Sequence, residues 1–160
     1  MKLSSDFRDM LRALSSERVR YVVVGGFAVI HHTEPRYTKD IDIWIEPTAV
    51  NAARVLRALK HFGAPLKGVR AEDFTNPQIV FQLGVEPVRI DLLMAIKGVS
   101  FEEAWASRVT AQWGRQRVNV LSAEHLARNK RRVGRPQDLL DVERLKPLLE
   151  KPGRGKHKRR

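Results

Sequence analysis

Apolar positions recur with helical or strand spacing along most of this chain. Phe7, Met10, Leu11 and Leu14 fall on one side of a helix over residues 3–15. Residues 21–24 (Tyr-Val-Val-Val) form a continuous apolar, β-branched run, the pattern of a buried strand, and Gly25-Gly26 ends it. Residues 27–32 then read as a short helix. Over 41–45 the isoleucines alternate with Asp40, Asp42 and Trp44, which predicts a strand. Thr48 suits a helix N-cap and Gly63 a C-terminal stop, with Ala52, Val55, Leu56, Leu59 and Phe62 as the apolar stripe between them. Residues 79–83 and 88–94 predict two further strands joined by a turn at Glu86-Pro87. A short helix over 101–107 and a strand over 117–121 follow. Ser122 caps a helix running to 133, Gly134-Arg135-Pro136 interrupts it, and Pro136 opens a last helix ending near 150.

The predicted order is α-β-α-β-α-β-β-α-β-α-α. It describes an α/β (α+β) domain over residues 1–150, with a mixed sheet flanked by helices and two helices closing the chain. A length of 160 residues with 42% hydrophobic positions is enough for one domain with its own core. Residues 151–160, KPGRGKHKRR, lack the apolar content for packing and read as a disordered basic tail.

Charge and cysteine content narrow the setting. The formal charge is +12, and the six Lys and Arg of the tail leave +6 on the rest. That surplus fits a polyanionic partner such as nucleic acid and, equally, a plain solvated basic surface. The chain has no cysteine, which excludes disulfides and thiolate metal sites. No apolar run approaches the ~20 residues of a membrane span, and the first ten residues lack a signal-peptide core. A cytoplasmic protein with no membrane partner is the expectation.

The candidate chemistry begins with Asp40-Ile-Asp42. Residues two apart on a strand share a face. Two carboxylates so placed repel, and a divalent cation relieves them; a solvated edge strand is the competing reading. Asp91 interrupts an otherwise apolar strand, Arg89-Ile-Asp-Leu-Leu-Met, where surface decoration explains it poorly. If that strand neighbours 40–45, three carboxylates converge, enough to hold two Mg²⁺ about 3.5–4 Å apart. Gly25-Gly26, between a strand and a helix, frees backbone N–H groups for a nucleotide phosphate, or is an ordinary turn. Arg36 and Thr38 flank the acid pair, and Thr38 falls on the same side as Asp40.

Lys130 shares a helix face with Leu126 and Val133, while Arg128, Arg131 and Arg132 fall off it. An inward Lys calls for an anion, either a nucleotide phosphate or the acid cluster; a snorkelling side chain is the alternative. Asp138 and Asp141 either complement a helix dipole, or Asp138 orients Arg135 or Lys130. His31 and His32 read as helix-end residues, and no third His or Cys supports zinc.

Taken in order, these segments resemble the nucleotidyltransferase superfamily that includes polymerase β-like and antibiotic-modifying enzymes. Gly25-Gly26-Phe-Ala-Val, Arg36-Tyr-Thr-Lys-Asp-Ile-Asp-Ile, Arg89-Ile-Asp-Leu-Leu, Phe101-Glu-Glu-Ala-Trp and Asn129-Lys…Gly134-Arg-Pro-Gln-Asp resemble small bacterial proteins related to abortive-infection nucleotidyltransferase toxins. The likeness covers about residues 20–146. Gly26 departs from it, since many active relatives carry Ser there. Haloacid-dehalogenase-like phosphatases also use Asp-x-Asp, but Trp44 and the preceding Gly-Gly turn disfavour them; sugar-nucleotide glycosyltransferases, which place a much longer nucleotide-binding region before the pair, are disfavoured as well.

The resemblance implies a nucleotidyltransferase fold and Mg²⁺-dependent transfer of NMP from an NTP. Asp40, Asp42 and Asp91 would be catalytic and metal-binding. Gly25, Gly26, Arg36, Thr38 and Lys130 would bind nucleotide, with Arg135 and Asp138 in support. The implied acceptor is RNA (tRNA), a protein or a small molecule. The alternative is a non-catalytic module of a toxin–antitoxin system or a nucleic-acid-binding protein.

Overall fold

Val22, Val23, Ile41, Ile43 and Leu92 have no exposed surface, and the strands bearing them lie side by side in the middle of one six-stranded sheet. The computed structural model describes residues 3–85 and 88–150 of the chain. The predicted Glu86-Pro87 turn and the predicted basic tail lie outside these residues.

The strands are β1 (Tyr21–Val24), β2 (Asp40–Ile45), β3 (Val80–Leu83), β4 (Arg89–Leu93), β5 (Val109–Trp113) and β6 (Gln116–Val120), in the sheet order β3-β4-β2-β1-β6-β5. The sheet is mixed: β1 runs antiparallel to β2 and parallel to β6, and β2 runs parallel to β4. The helices are α1 (Ser5–Ser16), α2 (Gly25–His32), α3 (Ala49–Phe62), α4 (Phe101–Ala106), α5 (Ala123–Val133) and α6 (Pro136–Leu149). α1 packs on α3, and α5 packs on both α6 and α2. None of the described helices is long and apolar enough to cross a membrane.

Local chemistry explains most boundaries. Thr48 and Ser122 accept N-cap bonds from the Asn51 and His125 amides, and Gly63 and Gly134 close α3 and α5 in the left-handed conformation. Pro136 sits in the first turn of α6, where its missing N–H costs nothing.

Three features depart from the sequence expectation. β5 was not anticipated. It pairs antiparallel with β6 through a two-residue turn at Gly114-Arg115, and buries Ala111 and Trp113. The helix expected from 27 starts instead at Gly25, so the glycine pair forms its first turn. A 3-10 turn over Ala71–Thr75, also unanticipated, buries Phe74 and packs on α3.

Candidate active site

The alternation in β2 turns Ile41, Ile43 and Ile45 into the core and leaves Asp40 and Asp42 on the other face. The parallel register sets Asp42 opposite Asp91 and Asp40 opposite Arg89. The three acids therefore share one sheet face, with Asp91 buried. Antiparallel pairing of β1 with β2 sets Val24 opposite Asp42, so the chain enters α2 directly over that carboxylate. Gly25 takes φ +66°, and a Cβ there would collide with Asp42 Oδ2. Only glycine meets both the backbone angle and the close approach. At Gly26 a Cβ would come within 2.9 Å of Thr38 Oγ1 and 3.5 Å of Arg36 Nη2. The Thr38 hydroxyl and the Arg36 guanidinium thus crowd the start of α2, where the resemblance leads one to expect a serine side chain.

The acids are unequally compensated. Arg89 bridges two of them: Nη2 donates to Asp40 Oδ2 at 2.8 Å and to Asp91 Oδ2 at 3.2 Å, and Nε donates to Asp91 Oδ1 at 3.1 Å. Asp40 Oδ1 is buried without a hydrogen-bond partner. Burial, then the neighbouring Asp91 and Asp40 charges, push the Asp42 carboxyl up to about 7, against the lowering influence of Lys130 and Arg89. In this arrangement, no three His, Asp or Glu side chains among the described residues are gathered closely enough to hold a metal ion. The orphaned Asp40 oxygen and the half-titrated Asp42 nevertheless make a donor set that a divalent cation fits.

A second ionic cluster faces this one from α5 and α6. Lys130 is buried and donates to Asp138 Oδ1 and Asp141 Oδ2, both at 3.2 Å. Its protein partners are therefore these two acids rather than the acids of β2 and β4. Asp141, fully buried, also receives both ends of Arg36, at 2.9 and 3.2 Å, and the Gln137 amide at 3.1 Å. Asp138 accepts from Arg135 Nε at 2.8 Å. Burial opposes its ionisation, but the bonds from Arg135 and Lys130 outweigh this and hold its carboxyl below the ordinary value. Arg128, Arg131 and Arg132 are exposed.

Gly25, Gly26, Arg36, Thr38, Asp40, Asp42, Lys130, Arg135 and Asp138 all line one cleft of about 1040 Å³ between the sheet and α5–α6. Sequence reasoning singled out neither Arg89 nor the anchoring role of Asp141. His31 and His32 sit at the end of α2, where His31 Nδ1 accepts from the Trp113 indole and His32 Nε2 bonds the Leu121 carbonyl.

A mixed sheet with an acid face under a glycine turn and two closing helices is the architecture of nucleotidyltransferases. The family described as "Nucleotidyl transferase of unknown function (DUF2204)" matches residues 3–158, and the chain belongs to it. Two solved structures share the fold. One, a candidate nucleotidyltransferase from Thermotoga maritima, is 16% identical, covers 91% of each chain and has a TM-score of 0.57. The other, the lincosamide antibiotic adenylyltransferase LnuA with lincomycin bound, is 16% identical over 90% of this chain and 96% of its own, with a TM-score of 0.55. A comparison with curated proteins finds no match.

Proposed function

We propose that this protein transfers a nucleoside monophosphate from an NTP to an acceptor hydroxyl and releases pyrophosphate. The observation that carries the reading is the β2–β4 register, which sets the buried Asp91 beside Asp42, itself in the lining of a cleft that also contains the glycine turn. Asp40, Asp42 and Asp91 would hold Mg²⁺, and bound there it supplies positive charge against the triphosphate. The N–H groups at the start of α2 bind phosphate oxygens, aided by the Thr38 hydroxyl and the Arg36 guanidinium. Lys130 adds positive potential from the cleft wall, while Asp138 and Arg135 fix its position. Asp91 accepts the proton of the acceptor hydroxyl as its oxygen bonds to the α-phosphorus. The bond from that phosphorus to the bridging oxygen breaks, and pyrophosphate leaves with the electron pair. Positioning and charge neutralisation do most of the catalysis.

The acceptor classes are a small molecule, RNA such as tRNA, and a protein. The lincosamide adenylyltransferase is a precedent for the first; the resemblance to abortive-infection proteins supports the others, in a cytoplasmic toxin–antitoxin setting. Incubation with each of the four α-labelled NTPs, Mg²⁺, and either total RNA, a protein extract or a panel of hydroxylated antibiotics identifies the class that takes label. Thermal shifts with each NTP, with and without Mg²⁺, test the reading independently of the acceptor. The absence of any NTP- and Mg²⁺-dependent shift in the folded protein would overturn it.

A further inference from the structure

We infer that Arg89 is the internal counter-ion of the acid cluster, and that a divalent cation enters by exchange with its guanidinium. The inference rests on the proposed nucleotidyl-transfer site and adds how that site is gated. Arg89 precedes Asp91 by two residues on β4, so both side chains leave the same sheet face. The parallel register brings Arg89 opposite Asp40 on β2. Its planar fork spans the two strands, engaging both oxygens of Asp91 and Oδ2 of Asp40 at 2.8–3.2 Å. Those oxygens are ones a cation would need. Outside that fork remain the Asp42 carboxyl and Asp40 Oδ1, which is buried and unpartnered; without Asp91 they form only part of the cation's donor set.

The geometry makes the two occupants exclusive. Mg²⁺ draws carboxylate oxygens to about 2.0–2.1 Å, and the place between Asp40 Oδ2 and Asp91 Oδ2 from which it would do so is taken by Arg89 Nη2, at 2.8 and 3.2 Å. For the acids to close on an ion, Arg89 must release at least one of them. Its side chain is 29% exposed, so it can swing into the cleft without crossing the core. In the cleft a nucleotide phosphate replaces the lost carboxylate, since a guanidinium pairs as well with phosphate. A bare cation therefore binds weakly, and cation and nucleotide enter together.

Mn²⁺ binding to the full chain, followed by the electron paramagnetic resonance of the free ion, tests this without an acceptor or turnover. R89Q removes the competing charge and should bind bare Mn²⁺ at least about tenfold more tightly than the wild type, or ~1.4 kcal/mol. R89K, which keeps the charge but loses the fork, should fall between them. ATP should tighten Mn²⁺ binding strongly in the wild type and much less in R89Q. In the wild type, the Arg89 Nε–H nuclear magnetic resonance signal should lose its hydrogen-bonded position as Mg²⁺ and ATP are added; this readout survives if a variant fails to fold. Unchanged or weaker Mn²⁺ binding in folded R89Q, or an Nε–H signal unmoved by bound Mg²⁺, would overturn the exchange while leaving nucleotidyl transfer standing. Mn²⁺ bound by neither protein, with or without ATP, would overturn both.

Discussion

Two ionic clusters face each other across the cleft, and they are solved in opposite ways. On α5 and α6, Asp138 and Asp141 share Lys130, Arg36 and Arg135, and their oxygens are engaged by cations, an amide or the backbone. On β2 and β4, one guanidinium serves Asp40 and Asp91, one carboxylate oxygen has no partner, and Asp42 is half-titrated near neutral pH. In the first cluster every carboxylate oxygen is satisfied within the chain, with only the Arg36 Nε–H left buried and unpartnered, and it holds two helices and a loop in place. The second is left short of positive charge, and that shortage is what a divalent cation arriving with a triphosphate would fill. Buried charges are tolerated when paired; incomplete pairing is therefore the better guide to where a ligand goes.

Removing a carboxylate from the finished cluster should have the largest effect. Asp141→Ala leaves Lys130 and Arg36 without their buried partner, and should cost about 3–5 kcal/mol in chemical denaturation. A loss below ~1 kcal/mol would show that the cluster is not structural. Gly25→Ala forces a side chain into a left-handed conformation and against Asp42, and should cost about 1–3 kcal/mol while abolishing NTP-induced thermal shifts. Wild-type shifts in that variant would separate the glycine turn from the site.

Asp42→Asn should do the opposite of Asp141→Ala. The unfolded Asp42 ionises near its ordinary value, ~4, while the native one stays protonated until about 7. Its contribution to stability is therefore full below the lower value, and is lost as pH rises through the upper one. At pH 8 in chelator, Asp42→Asn should be more stable than the wild type by about 1–2 kcal/mol, the full shift being reduced for partial solvent exposure. At pH 4 the difference should vanish. The same variant should lose Mg²⁺-dependent NTP binding. Arg131→Ala, on the exposed face of α5, should change stability by less than ~0.5 kcal/mol and leave NTP binding unchanged. A marked loss of NTP binding would extend the site onto that face.

What could be read from the sequence follows from how local each signal is. Asp40 and Asp42 share a face by strand period alone, and the glycine pair after an apolar run marks a close approach. That Asp91 joins them depends on which strands pair and in what register, and spacing carries no information on either. Arg89 did have a local signal, its two-residue offset from Asp91, but the segment's apolar character drew attention away from it. Asp141 looks like any acid in an early helix turn until α6 is laid against α5 and the loop bearing Arg36. β5 was missed because Val109, Ala111 and Trp113 alternate with little apolar bulk at the centre; the turn glycine at Gly114 was the overlooked cue.

The parallel pairing of β2 with β4 has a consequence during synthesis. Parallel neighbours need a long crossover, and here it contains α3, the 3-10 turn and β3. A ribosome therefore releases the Asp40–Asp42 pair well before the segment carrying Arg89 and Asp91. Until β4 docks, the emerging chain has two acids on an unprotected strand edge and no complete site. The same docking step delivers the third acid and the arginine that bridges it to Asp40, so the acid trio is completed together with its counter-ion.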